Sequence, residues 1–169
     1  MDEQRRDAWR QWLDAARDPE VDGFLQSFYG DLDRAVAQRA PRCDQSGRCC
    51  DFDGYGHRLY VTGLEIARFL RHAPPPEPAS DYPLRVLTEH RPACVYQVDG
   101  LCSTHAIRPL GCRVFFCEPG TEDWQQQTYE RFMNRLKAEH ERLGLPYAYM
   151  EWRAGLAEAA SIRSISSEG

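Results

Sequence analysis

The sequence predicts a small, mainly α-helical single domain over residues 1–169, with irregular cysteine loops and at most short strands. Three observations lead to this prediction. Apolar residues recur at helical spacing in the N-terminal and C-terminal parts of the chain. The middle part contains glycine-rich and proline-rich loops, with only short extended stretches between them. A length of 169 residues suits one domain with a modest core.

Two helices are predicted within residues 1–40. Pro19 stands in an Asp-Pro-Glu sequence, which interrupts the first helix and suits the start of the second. The second helix should end near Arg39. Both helices carry an apolar stripe that we expect in the core, formed by Trp9, Trp12, Leu13 and Ala16 in the first and by Phe24, Leu25, Phe28, Tyr29, Leu32 and Val36 in the second.

Residues 42–118 are predicted to be loops and short elements. The three glycines within 42–56 indicate a loop, and residues 58–61 look extended. Thr62 and Glu65 form a Thr-x-x-Glu capping box, which predicts a helix through Leu70. The proline-rich run 73–78 should end that helix and form an exposed, extended connector. Asp99-Gly100 predicts a hairpin turn, and one helical turn is expected before Arg108-Pro109.

The C-terminal part is predicted to contain one long helix, over about residues 121–144. Thr121 or Asp123 is expected to cap its start, and Gly144 followed by Pro146 is a stop signal. The tail, residues 145–169, should hold a short helical stretch near Ala154–Ala160 and fray from about Ser164.

Composition excludes several classes of function. A formal net charge of −5 argues against a general nucleic-acid binder, so no nucleic-acid partner is expected. No apolar run approaches the roughly 20 residues that cross a bilayer, so no membrane partner is expected either. The start of the chain is charged and lacks the apolar segment of a secretory signal. We therefore expect a cytoplasmic protein with reduced thiols.

The cysteines are the most informative residues for function. Seven occur, in two groups that define a first cysteine loop (43–50) and a second cysteine loop (94–117). The 43 residues between the groups, the first 42 residues and the last 52 contain none. Thiolates are preferred ligands of zinc, copper(I) and iron–sulfur clusters, and an odd number fits a purely disulfide framework poorly. The pattern predicts a metal-binding core within residues 42–118, whose ligands are Cys43, Cys49, Cys50, Cys94, Cys102, Cys112 and Cys117.

The spacing of the cysteines leaves the kind of centre open. Cys43-x5-Cys49 and Cys112-x4-Cys117 have plausible chelate spacings, and the Asp99-Gly100 turn could return Cys102 to Cys94. The side chains of adjacent residues tend to diverge, so Cys49 and Cys50 are expected to serve two metals, two atoms of a cluster, or one metal and a structural role. Seven thiols also exceed one tetrahedral site. The count indicates either a polynuclear centre or one closed site with free thiols.

Other polar residues near the cysteines are secondary candidates. His105 follows Cys102 by three residues and is a reserve ligand, whereas His57 is a weaker one. Four arginines could offset the charge of a thiolate site or could simply be solvated: Arg42, Arg48, Arg108 and Arg113. Three further histidines are expected at the surface: His72, His90 and His140. The sequence contains no Ser-His-Asp set, nucleotide-binding glycine loop or His-Glu-x-x-His motif.

The cysteine pattern resembles the cysteine-cluster family named for its CxxCxxCC motif. The first half of the motif reads Cys43-x2-Ser46-x2-Cys49-Cys50, and the second half reads Cys94-x7-Cys102 followed by Arg108-Pro109-x2-Cys112-Arg113. The short extended piece and the helix that opens with Thr-x-x-Glu, within residues 59–69, match the family as well. The resemblance covers about residues 43–117 and implies a domain that chelates zinc or iron.

The chain departs from the family pattern at three positions. Ser46 replaces the second cysteine, His105 replaces a common tyrosine, and Cys117 lies outside the motif. We expect Cys117 or His105 to supply the ligand lost at Ser46, although a decayed site is the alternative.

The sequence supports three functional hypotheses. The leading one is a metal-binding protein in which zinc or iron, including an iron–sulfur cluster, organises the two cysteine loops and holds the fold together. The second is a redox or catalytic iron centre, favoured by the adjacent cysteines and the surplus of thiols. The third is an intracellular metal carrier. Zinc and iron both accept four thiolates, so the residues do not separate them.

Overall fold

The structure is a computed structural model, and it describes residues 1–74 and 93–167, with side chains up to residue 162. It confirms a mainly α-helical chain, with seven helices and four short strands in the described residues. The helices are α1 (Glu3–Ala15), α2 (Pro19–Arg39), α3 (Phe52–Tyr55), α4 (Gly63–His72), α5 (Leu110–Val114), α6 (Glu122–Arg142) and α7 (Trp152–Ser167). The strands are β1 (Tyr60–Thr62), β2 (Gln97–Val98), β3 (Leu101–Cys102) and β4 (Tyr149–Glu151).

The two N-terminal helices form where the sequence predicts them. The Asp18 side chain caps α2 by accepting a hydrogen bond from the Glu20 backbone N–H at 2.7 Å, and Pro19 occupies the first turn. Trp9 and Trp12 are fully buried on one face of α1, with their rings edge-to-face at 5.1 Å. The helical stripes predicted for the core therefore do reach it.

The predicted capping box of α4 is present, and it does more than cap the helix. Glu65 accepts from the Thr62 backbone N–H at 2.9 Å, while Thr62 accepts from the Glu65 N–H. The other Glu65 oxygen accepts from the Leu110 N–H at 2.9 Å and from the Tyr29 hydroxyl at 3.2 Å. One buried carboxylate thus connects α4 with α5 and α2.

Two short antiparallel sheets complete the described fold. Strands β2 and β3 form the hairpin predicted at Asp99-Gly100, whose φ angles of 50° and 78° are those of a tight left-handed turn. Strand β1 pairs with β4, which brings Val61 opposite Met150. The second pairing was not predicted, because its partners lie far apart in the sequence.

Several short elements differ from the predictions. Helix α3 interrupts the predicted loop at 42–56, since Asp51 caps it and the Phe52 side chain is buried. Helix α5 lies inside the second cysteine loop. Thr121 precedes α6 without a side-chain cap, because its hydroxyl oxygen accepts from the Gln125 side-chain amide instead of a backbone N–H, while the hydroxyl donates to the Glu118 carbonyl. Helix α7 extends to Ser167, beyond the predicted Ala154–Ala160 and past the expected fraying point.

One connected core joins the helices. Helix α4 packs against α1 and α7, and α5 packs against α2 and α6. Phe28 of α2 contacts Phe132 of α6 edge-to-face at 5.4 Å. In the part of the chain that the structure describes, no helix has the length and apolar character needed to cross a bilayer. The predicted connector at 73–78 and His90 lie mostly or wholly outside the described residues.

Candidate metal centre

The two cysteine loops meet through their backbones. The Cys94 N–H donates to the Cys50 carbonyl at 2.7 Å, and the Gln97 side-chain amide donates to the Gly47 carbonyl at 2.9 Å. Gly47 has a φ of 73°, and a Cβ at this position would collide with the Gly100 carbonyl. The glycine therefore allows the first loop to lie directly against the β2–β3 hairpin.

The Cys50 thiol is the centre of a group of four thiols. Its sulfur lies 3.9 Å from that of Cys49, and the thiols of Cys102, Cys49 and Cys94 raise its pKa, so thiols of both cysteine loops act on it. We call these four residues the thiol cluster. The sulfurs of Cys49 and Cys50 are 3.9 Å apart, which departs from the expectation that adjacent side chains diverge. The tight turn explains the approach, since the Cys50 N–H bonds back to the Gly47 carbonyl at 3.0 Å.

The thiols of the thiol cluster differ in pKa. Hydrogen bonding with Cys102 and its other neighbours raises the pKa of Cys50, which acts as the donor. Hydrogen bonding with Cys50 lowers the pKa of Cys102 to about 5 and that of Cys49 to about 7, and it also lowers the pKa of Cys94. Cys50 has a single S–H and donates to one of these sulfurs at a time, which favours the thiolate, the form that binds metals, at the sulfur that accepts.

Two further side chains contact the sulfurs of the thiol cluster. The Trp152 indole N–H donates to the Cys94 sulfur at 3.4 Å, and the Thr104 hydroxyl lies 3.6 Å from the Cys102 sulfur. Both are buried. Sequence reasoning missed these contacts. The Cys102-x-Thr104 spacing is a weak local signal, whereas nothing in the sequence connects Trp152 to Cys94.

The remaining predicted ligands lie outside the thiol cluster. Cys112 is the nearest, because its pKa, raised first by burial, also responds to the charges of Cys94, Cys102 and Cys49. Cys43 is exposed and Cys117 is half-buried, and within residues 1–74 and 93–167 neither thiol forms a hydrogen bond. His105 is exposed, and Ser46 is exposed in the first loop. The compensation expected for Ser46 stays a prediction.

Only one of the four arginines near the cysteines influences several thiols. The charge of Arg108 contributes to lowering the pKa of Cys49 and of Cys102. Arg113 instead pairs with Asp33 at 2.8 Å, and Arg42 pairs with Asp44 at 2.9 Å. Arg48 packs over the Tyr55 ring at 5.8 Å. The arginines therefore divide into one that acts on the thiol cluster and three with other contacts.

Two histidines, His57 and His140, are packed against other side chains or backbone groups of the fold. His57 lies beside Cys49, stacked on Phe115 at 5.0 Å, and burial lowers its pKa. His140, predicted at the surface, is 1% exposed, which corrects that prediction. Its ring packs into the turn after α6, where Nδ1 lies 3.0 Å from the Pro146 carbonyl. The prediction was wrong because the residues next to His140 in the sequence are polar, whereas His140 itself lies on the inward face of α6.

The donor set suits a soft metal, although the side chains are not arranged as a finished coordination sphere. No group of three or more His, Cys, Asp or Glu residues in the described parts already has the geometry of an ion site. The Cys49–Cys50 sulfur separation of 3.9 Å is nevertheless close to the edge of a tetrahedral zinc–thiolate site, about 3.8 Å for Zn–S bonds of about 2.3 Å.

Comparison with known proteins adds no identification. Neither protein-family models, nor curated proteins, nor solved structures gave a match to this chain.

Proposed function

We propose that this chain is a metal-binding protein that holds zinc or iron through thiolates of its two cysteine loops. The observation that carries the proposal is that the two cysteine loops meet at Cys50: its sulfur lies 3.9 Å from that of Cys49, and its carbonyl accepts from the Cys94 N–H at 2.7 Å. Thiolates are the preferred ligands of zinc and of iron–sulfur centres. The resemblance to the CxxCxxCC cysteine-cluster family supports the same function.

The four cysteines of the thiol cluster are the proposed ligands. Four thiolates around a divalent ion carry a net charge of about −2, and Arg108 and the Trp152 N–H lie where they partly balance it. Cys112 is an adjacent fifth thiol. Cys43, Cys117 and His105 stay reserve ligands that a second metal or a rearranged loop would recruit. Bound zinc would supply structural cross-linking, and bound iron would also supply electron transfer.

A redox or catalytic iron centre is the second candidate. The observation that favours it is the position of Cys112, which lies beside the thiol cluster and faces a cavity. A purely structural zinc site is closed by four ligands and has no need of a fifth thiol or a neighbouring cavity. In either case we infer a cytoplasmic location, since the ligands must be kept reduced.

The decisive experiment measures metal and acid-labile sulfide in protein purified without air, together with its visible spectrum. About one zinc per chain with no sulfide and no colour supports the structural site. The presence of iron and sulfide, with absorption at about 400 nm, supports the redox centre. Protein that contains neither metal, and that does not take up zinc or iron after reduction, contradicts the proposal.

Single cysteine variants locate the site. Cys102→Ser removes a half-buried thiol of the cluster and should abolish metal retention, whereas Cys43→Ser removes an exposed thiol and should leave the metal content unchanged. Cys50→Ser tests the central thiol, and circular dichroism checks that each variant is folded. Equal metal content in Cys102→Ser and Cys43→Ser would place the metal elsewhere.

A further inference from the structure

A cavity of about 350 Å³ lies beside the thiol cluster. Its wall is formed by the end of the first cysteine loop, strand β1, helix α5 and the first two turns of α6, and both Cys49 and Cys112 line it. This volume is typical of sites for small organic molecules. The cavity therefore offers a place for a small organic ligand beside the proposed metal ligands.

Flat aromatic rings make up much of the wall. His57 stacks on Phe115 with an angle of 3° between the rings, and Tyr60 stacks on Tyr149 with an angle of 24°. The Tyr129 hydroxyl shares a hydrogen bond of 2.5 Å with the Tyr149 hydroxyl, which fixes that side of the cavity. Planar walls of this kind favour a flat, unsaturated ligand, because offset stacking adds to apolar burial.

The polar groups of the cavity favour a negative charge on the ligand. Arg58 lines the cavity and, in the described residues, forms neither an ion pair nor a hydrogen bond. The Gln125 amide is already occupied by the backbone of Phe116. Glu122 also lines the cavity, but it is the first residue of α6, where the positive end of a 21-residue helix offsets its charge.

We propose that this cavity binds a small aromatic carboxylate, with its carboxylate on Arg58 and its ring between the aromatic walls. The guanidinium fork matches a carboxylate in two parallel hydrogen bonds, which sets the orientation of the ligand. The ring then lies towards Cys49 and Cys112. The proposal goes beyond the metal site and does not depend on it, because the binding groups are present in the chain itself.

The test uses benzoate as the probe and the reduced full chain, both as purified and freed of metal, because loss of a metal would loosen the loop that carries Cys49. Ligand-observed NMR titration should show saturable binding of benzoate, with weaker binding of benzylamine. Arg58→Gln should weaken benzoate binding by about tenfold or more, because a hydrogen bond to a charged group is lost. Glu122→Gln, on the same wall, should bind benzoate at least as tightly as the original chain.

A distant arginine and a chemical label complete the design. Arg39→Gln, at the exposed end of α2, changes the net charge equally and should leave benzoate binding unaltered. Benzoate should also slow the alkylation of Cys49 by iodoacetamide, measured by peptide mass spectrometry, without slowing that of the exposed Cys43.

Three results would overturn the proposal. The first is benzoate binding that Arg58→Gln and Arg39→Gln change equally. The second is a preference for benzylamine over benzoate. The third is a Cys49 thiol that benzoate does not protect, or that iodoacetamide does not reach, since a cavity that admits benzoate also admits the smaller reagent. None of these results bears on metal retention, which is measured separately.

Discussion

Individual buried polar residues organise this protein as much as its apolar ones do. Glu65 is 2% exposed, and burial raises its pKa, yet its two oxygens accept hydrogen bonds from three different parts of the chain. A buried carboxylate is tolerated when its oxygens are satisfied in this way. The thiol cluster follows the same rule, because Trp152 and Thr104 supply hydrogen-bonding groups to its sulfurs.

His140 leads to a prediction about pH. Burial lowers its pKa, and the nearby Glu139 charge only partly opposes that effect. The folded state therefore favours the neutral ring, while the unfolded chain gains a proton near pH 6.5. The stability from this histidine is present above about pH 6.5 and is lost as the pH falls towards its lower folded pKa, by up to about 1.4 kcal/mol per pH unit.

The measurement compares denaturant unfolding of the original chain and of His140→Asn at several pH values between about 7.5 and about 5, in buffers of the same ionic strength. Asparagine keeps a donor near the Pro146 carbonyl but does not titrate. The free energy of unfolding should fall less steeply with decreasing pH in the variant. Parallel curves would show that His140 does not contribute, and that the similarly shifted His57 and His105 carry the dependence.

At the scale of elements, close approach between helices depends on small residues at defined positions. Gly63 begins α4 directly against the Trp12 ring of α1, and Gly155 in α7 lies against Ile66 of α4. Both are contacts between secondary-structure elements that share the core. By contrast, Gly23 in α2 is exposed and has open space around the position of a Cβ.

Replacement of Gly63 and of Gly23 by alanine should change the free energy of unfolding in opposite directions. Gly63→Ala forces a methyl group against a fully buried Trp12 ring, so we expect a loss of about 1–3 kcal/mol in the free energy of unfolding. Gly23→Ala should stabilise the protein by about 0.5–1 kcal/mol, because alanine favours the helix. Denaturant unfolding measures both, and a neutral or stabilising Gly63→Ala would contradict the packing of α1 on α4.

At the scale of the whole molecule, the two cysteine loops are joined to the helices by few regular backbone contacts. Their order rests on the Cys94–Cys50 and Gln97–Gly47 hydrogen bonds between them, and on the side chains of Phe52 and Tyr96, which are buried in the core. Structural zinc contributes about 10–16 kcal/mol of apparent binding free energy in small peptides. That range is comparable to the whole net stability of a typical domain, about 5–15 kcal/mol, so metal bound here would contribute strongly to the order of the loops.

Removal of the metal should therefore loosen the loops before the helices. After chelation, we expect a lower unfolding temperature and a loss of amide-exchange protection first in residues 47–56 and 94–104. Protection in α1 and α2 should persist longer, since their apolar faces pack without the loops. Cys102→Ser serves as the control, because chelator should not change it. Unchanged unfolding of metal-loaded protein after chelation would rule out a stabilising role for the metal.

The sequence alone determined the features that depend on near neighbours. The Asp-Pro start of α2, the capping box of α4, the Asp99-Gly100 hairpin and the long α6 each follow from interactions within about four residues, and the mainly α-helical class follows from their sum. The spacing of the cysteines also placed all seven within residues 42–118. It did not predict α3 or α5, because short helices have weak periodicity and depend on tertiary contacts.

Only the tertiary structure decided which groups meet across the chain. It brought Cys94 of one cysteine loop to Cys50 of the other, and it brought Trp152 to the Cys94 sulfur over a separation of 58 residues. It also paired β1 with β4 and enclosed the cavity beside Arg58. Such contacts depend on how every helix packs in the shared core, so no local pattern encodes them. The local sequence set the elements, and their packing set the site.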